Sequence, residues 1–143
     1  MPTIEQIKTL RHETGISIGQ CREALQASAG DLAKAKAWLQ AKGSAIAEKK
    51  SDRVLKAGVI GSYVHTNGLI AALVELVSET DFVAKSPEFK SLADDLAMHV
   101  SAFEPSNLED LSTQPFIRDQ NQTVKQVITG AIQKFGEKIE VVR

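Results

Sequence analysis

Leu69-Ile70-Ala71-Ala72-Leu73-Val74-Glu75-Leu76-Val77, followed by Ser78-Glu79-Thr80-Asp81-Phe82-Val83-Ala84, is the stretch on which the fold turns. The first part is apolar except for Glu75 and reads as a strand buried on both faces. It then breaks into a polar turn that sets a phenylalanine directly after an aspartate. Just beyond, Ser86-Pro87-Glu88 starts a helix, with serine placed to cap and proline at the first helical position.

Upstream, Gly58 to His65 reads as a second strand, joined to the first near Thr66-Asn67-Gly68. Asn-Gly is a strong hairpin signal because both residues tolerate positive φ. Downstream, Phe89, Leu92, Ala93, Leu96 and Val100 recur at helical spacing from about Pro87 to Phe103. Glu104 to Asp119 contains Pro105 and Pro115 and reads as loop. Thr123-Val124-Lys125-Gln126 has the spacing of a capping box and opens a last helix that runs to Phe135, with Val124, Val127, Ile128, Ala131 and Ile132 on its face. Gly136 ends that helix, and Ile139 to Val142 is β-branched enough for a third strand. The order β-β-α-α-β favours a small three-stranded antiparallel sheet with helices packed on one face.

The first ~45 residues read as three short helices. Thr3 to Gln6 has capping-box spacing, Ile4, Ile7 and Leu10 form an apolar face, and Gly15 is a left-handed cap. Ser17 to Gln20 repeats the spacing, and Cys21, Ala24 and Leu25 continue a second helix that Gly30 ends. Asp31 caps a third helix carrying Leu32, Ala35, Trp38 and Leu39 up to Gly43. Helices this short are marginal alone and must pack together. The chain therefore divides into a helical domain over residues 1–45, a linker over 46–57 that includes Glu48-Lys49-Lys50-Ser51-Asp52-Arg53, and an α+β domain over 58–143.

The 143 residues carry 17 Lys and Arg against 18 Asp and Glu, a net charge of −1, which gives no electrostatic reason to expect a nucleic acid as the principal ligand. A single cysteine, Cys21, excludes an internal disulfide and a metal site built from several thiolates. No apolar run approaches the ~20 residues needed to span a bilayer. Met1-Pro2-Thr3-Ile4-Glu5 has the character of neither a signal nor a transit peptide, so cytoplasmic residence is expected.

Three blocks carry a family resemblance. Leu73 to Lys85 resembles the Thr-Asp-Phe-Val-Ala signature of bacterial translation elongation factor Ts. Leu10-Arg11-His12-Glu13-Thr14-Gly15, Cys21-Arg22-Glu23-Ala24-Leu25, Gly30-Asp31 and Ala35 to Leu39 are similar to the family's N-terminal part. Gly136-Glu137-Lys138-Ile139 and Val141-Val142-Arg143 are similar to its closing turn and strand. The resemblance implies a ubiquitin-associated type of fold for the three-helix domain and a short, single-core form of the family, because longer members have more helix between the residues matching Ala102 and Gln114 and continue past Arg143. In short forms two chains pair, so a homodimer is admitted. Ser78 stands where many relatives have cysteine, and any dimer would lack a disulfide there.

For Phe82, core filling is the ordinary fate of a phenylalanine. Asp81 beside it makes deep burial of the turn costly, and the flanking strand and helix already supply core residues. The resemblance implies that Asp81 and Phe82 are presented outward, that Thr80, Asp81, Phe82 and Val83 bind the partner, and that the phenylalanine enters the G domain of elongation factor Tu near the nucleotide's Mg²⁺ and phosphate site. It also implies docking on that domain through Arg11 and the apolar pair matching Ile18 and Gly19. Two methionines are usual in that pair, so the apolar contact is reduced here.

His12, His65 and His99 form no close pair for a metal, and Asp94-Asp95 diverge by about 100° on a helix. Cys21 reads as a small buried hydrophobe. No phosphate-binding glycine loop occurs, so the nucleotide belongs to the partner and the chain needs no cofactor or metal of its own. The implied function is guanine nucleotide exchange on elongation factor Tu, in its GDP-bound and nucleotide-free forms, without bond-making chemistry. The alternative is a ubiquitin-associated-like adaptor that binds a peptide or helix, with the α+β domain serving to dimerise it.

Overall fold

Thr3, Ser17 and Asp31 each accept the backbone N–H three residues on, and a helix follows each: α1 (Ile4–Thr14), α2 (Ile18–Ala27) and α3 (Leu32–Lys49). These come from a computed structural model that describes all 143 residues. At α1 the capping box is complete, and Gly15 closes the helix with φ +69°. At α2 only half of a box forms, because the Gln20 side chain accepts instead from Gln133 Nε2 at 2.6 Å. Leu10, Ile16, Cys21, Ala24, Leu25, Ala35 and Leu39 make the core of this helical unit.

Gly43 does not end α3, which continues to Lys49 through the first residues expected to be linker. A Cβ on Gly43 would lie 2.6 Å from Gln133 Oε1, so this glycine serves close approach rather than helix termination. Residues 1–51 group with 129–136, and residues 52–128 group with 137–143.

In the second unit β1 (Ala57–Val64) pairs antiparallel with β2 (Ala71–Ser78), and β2 with the short β5 (Ile139–Val141), giving the order β1-β2-β5. The connecting loop is closed by the His65 N–H donating to the Ile70 carbonyl, 2.8 Å. Only Gly68 takes positive φ, +71°. Asn67 contributes its side chain, which accepts the Leu69 N–H at 2.9 Å, so the tight two-residue Asn-Gly turn is not formed.

Two helices follow β2: the four-residue α4 (Asp81–Ala84) and α5 (Pro87–Phe103), the latter capped by Ser86 with Pro87 in its first turn. The span expected to be loop holds α6 (Leu108–Thr113), capped by Asn107, and β3 (Pro115–Phe116), whose ribbon partner β4 (Asp119–Thr123) begins where that span ends. Six residues with two leucines are too short for periodicity to show. α7 (Val124–Phe135) begins on the expected Thr123–Gln126 box, and Gly136 follows it with φ +74°.

α5 packs on one face of the sheet, against β1 and β2. Residues on that face, such as Gly61, Val74, Leu76, Ser78 and Ile139, are buried, while their neighbours Ile60, Val64 and Leu73 are exposed. The β2 segment is therefore buried on one face only, and Leu73 is 71% exposed. A run whose one polar residue is Glu75 hides the period of two that burial reveals.

α5 comes close to the strand at Gly61, where a Cβ would lie 2.1 Å from the Ala93 carbonyl oxygen. Around it, Asp94 Oδ1 accepts the Ser62 N–H at 2.9 Å and the Lys90 ammonium at 2.7 Å, and Lys90 also donates to the Ile60 carbonyl at 3.0 Å. Hydrogen bonding from Lys90 holds the Asp94 carboxyl below its ordinary range. Asp95 diverges to meet Arg118 at 3.0 Å.

His99 is fully buried and stacks on Phe103 and Phe116. Its Nδ1 accepts the Ile117 N–H at 3.1 Å, which leaves Nε2–H to donate to Gln114 Oε1 at 2.9 Å. No helix is long and apolar enough to cross a membrane.

Gly61→Ala is expected to destabilise the chain by about 1–3 kcal/mol, because the added methyl meets backbone that cannot rotate away. Urea unfolding measures this, and an unchanged midpoint would show that α5 can withdraw from the strand without cost.

Candidate protein-contact site

Phe82 is 89% exposed. An aromatic side chain in that state keeps nearly all of its contact with water, so its position needs a cause other than core packing. The cause lies in how α4 is anchored. Val83 and Ala84, the next two residues, are 4% and 5% exposed and root the turn in the core. Successive helical side chains are about 100° apart, so with Val83 and Ala84 buried the opposite side of the turn, where Asp81 and Phe82 stand, faces outward.

Thr80 is the residue from which the turn is hung. Its hydroxyl oxygen accepts the Val83 N–H at 3.4 Å, the N-terminal cap of α4. The same hydroxyl donates to Glu137 Oε2 at 2.6 Å, and the Thr80 N–H donates to Glu137 Oε1 at 3.0 Å. Its carbonyl accepts from the buried Ser78 hydroxyl at 3.1 Å and from the Ala84 N–H at 3.1 Å. Every backbone and side-chain polar group of Thr80 is thus engaged.

Glu79 returns the contact in the opposite sense by accepting the Lys138 N–H at 2.9 Å, while Arg53 approaches its carboxylate at 3.4 Å. The segments 79–80 and 137–138 therefore clasp each other by exchanging carboxylates for backbone donors.

Glu137 stood in the sequence only within a block of resemblance, with no role attached. One signal bears on it. α1 and α7 have Thr at the cap and Gln three residues later, whereas the residue three beyond Thr80 is Val83, which cannot reach back. A missing box partner at a turn this short calls for an acceptor from elsewhere.

The second group of residues lies in the helical unit. Arg11 occupies the last turn of α1 and is exposed, and Ile18 opens α2 at 54% exposure. Gly19 is exposed and has open space around it, so a larger side chain would fit. Between them, Ile16 is buried and the Cys21 thiol donates to its carbonyl at 3.6 Å, which ties down the α1–α2 connection. Burial pushes the Cys21 thiol up, the form of an inert core residue. Arg11, Ile18 and Gly19 thus flank one connection, and the Phe82 turn belongs to the other unit.

Both places offer contact surface: a presented ring in one unit, a cation and an aliphatic side chain in the other. Comparison with known proteins says what kind of chain carries them. The family model described as Elongation factor TS matches residues 79–143, which begin at the clasp and take in the turn. Elongation factor Ts of Microcystis aeruginosa is 36% identical over 187 residues, covering 99% of this chain and 74% of that protein. That of Methylacidiphilum infernorum is 35% identical, covering 99% of this chain and 92% of the other. That of Clostridium kluyveri is 37% identical over 143 residues, all of this chain and 47% of its own length.

These are translation elongation factors, proteins of the elongation stage of protein biosynthesis. The chain belongs to the elongation factor Ts family. The match to the Microcystis protein extends over more positions than this chain has residues, so that relative carries residues without counterparts here, whereas the clostridial match runs length for length.

Thr80→Val removes both bonds of the hydroxyl while keeping the shape, and is expected to cost about 1 kcal/mol of local stability. Amide hydrogen exchange should then quicken at Val83 and Ala84; unchanged protection there would show that the buried side chains alone hold α4.

Proposed function

We propose that this chain is a guanine nucleotide exchange factor for elongation factor Tu, promoting GDP release in the cytoplasm by disturbing the partner's Mg²⁺ and phosphate site. One observation carries the reading: the ring of Phe82 stands in solvent on a turn whose cap is satisfied and whose roots are buried. A side chain held ready in this way enters a partner without first reorganising its own protein. Family membership supplies the partner, since the resemblance to elongation factor Ts implies contact with the G domain of Tu.

The mechanism needs no acid, base or nucleophile on this chain. Exchange follows if the chain binds the nucleotide-free partner more tightly than the GDP-bound one, and linkage makes GDP and this chain weaken each other by the same factor. Phe82 contributes through apolar area buried only in the displaced state. Full burial of such a ring stabilises by roughly 1.5–3 kcal/mol, a factor of about 10 to 100. In this reading Thr80 and Asp81 meet the partner beside the ring, and Val83 supports them from within. Arg11, Ile18 and Gly19 add docking contact from the helical module over residues 1–45. Mg²⁺ belongs to the partner and is displaced there.

The apolar face of the sheet that α5 leaves open, with Ile60, Val64 and Leu73 exposed, supports a second contact. In this reading it pairs with another copy of the chain, as the resemblance to short members of the family implies. Light scattering should then give twice the monomer mass, and a monomer forming a tight one-to-one complex with Tu would remove the pairing.

Phe82→Ala is expected to slow release of a fluorescent GDP analogue from Tu by about 10- to 100-fold with the fold intact. Stopped-flow fluorescence measures it, and a rate equal to that of the unaltered chain would sink the assignment. Equal affinity for empty and GDP-bound Tu would make the chain a binder and not an exchange factor.

A further inference from the structure

A helix N-terminus presents donors that its own residues must satisfy, and in a capping box the third helical residue reaches back to the N–H of the cap. α4 cannot do this for itself. Its third residue is Val83, whose burial is what turns Phe82 outward. The acceptor comes instead from Glu137, 57 residues along the chain, which takes the Thr80 N–H at 3.0 Å and the Thr80 hydroxyl at 2.6 Å with its two carboxylate oxygens. We infer that Glu137 is the positioning residue of the Phe82 turn, completing in trans the capping box that the turn's own sequence lacks.

The chemistry explains why a carboxylate stands there. A threonine hydroxyl has one proton and two lone pairs. With that proton donated in a hydrogen bond to Glu137, the oxygen's lone pairs are turned to the Val83 N–H, so the acid at 137 sets the rotor that caps α4. Both of its bonds are charge-assisted and therefore stronger than those of a neutral acceptor. Glu79, accepting from Lys138 on the return side, prevents the 137–138 segment from drawing away. Loss of Glu137 leaves the ring exposed but free to adopt orientations that do not match a partner's pocket.

This rests on the reading of Phe82 as the contact, and the test separates the two. Glu137→Ala should speed amide exchange at Thr80 and Val83 and slow GDP release from Tu about five-fold, the factor one lost cap of ordinary strength gives. In the Phe82→Ala background the same change should slow release no further, because a residue acting only through the ring has nothing left to position. Glu137→Gln keeps a carbonyl acceptor without the charge, and should recover part of both effects. If Glu137→Ala fails to fold by circular dichroism, the glutamine variant carries both measurements.

Unchanged amide exchange overturns the trans cap. Unchanged GDP release, or a loss that multiplies with that of Phe82→Ala, overturns the positioning role. If instead the amides are released but Phe82→Ala exchanges at the normal rate, the clasp stands as structure while the contact reading and the positioning role fall together.

Discussion

Where α5 crosses β1 at Gly61, helix and strand meet with no side chain between them, and a methyl there would lie 2.1 Å from the Ala93 carbonyl oxygen. That approach sets the position of everything built on the sheet. It brings Asp94 and Lys90 within hydrogen-bond reach of the β1 backbone, at 2.9 and 3.0 Å, so the strand is stitched to the helix on either side of the glycine. The start of α5 is thereby tied to the sheet as well. Two residues, Lys85 and Ser86, separate α4 from α5, so α4 can lie only where β2 leaves the sheet. The exposed ring is placed by a glycine twenty-one residues upstream that never touches it.

The turn itself shows how a protein keeps a hydrophobic side chain in water without strain. None of α4's residues has an unusual backbone; the positive-φ residues other than glycine are Ala29 and Glu104, both elsewhere. The cost of exposing the ring is offset by burial of Val83 and Ala84 and by a threonine with every polar group engaged. A contact residue prepared in this way loses little conformational entropy when it meets a partner.

Much of this was legible in the residues, and the failures have specific causes. Capping spacing identified the starts of α1 and α7, and Ser86-Pro87 that of α5, because these signals act within one turn and need no tertiary context. Gly43 misled because a glycine marks either a helix end or a close approach, and only its neighbour Gln133 distinguishes them. The β2 run misled because apolar residues on both faces carry no period, so the open face could not be told from the covered one. Residues 104–119 carry two prolines and several polar residues, which read as loop, and the six residues of α6 are too few to show a period. Phe82 could be singled out from its acidic neighbour, whereas for Glu137 the one signal, a cap at Thr80 without a box partner, does not say which distant residue supplies the acceptor.

The open face has a further consequence for how β1 and β2 find each other. In most hairpins a slip of one residue would carry the apolar side chains into water, and that penalty enforces the pairing. Here the open face of β2 carries Ala71, Leu73 and Val77 beside the single charge of Glu75, so a slip would cost chiefly the burial of that carboxylate. What remains to define the alignment is the loop closed by His65 and Ile70 at one end and the bare backbone of Gly61 in the middle, the position in β1 that admits Ala93. Beside that charge, the alignment is marked by a missing side chain, because a Cβ at position 61 would meet the Ala93 backbone. Strand register and helix docking in this unit therefore depend on the same residue.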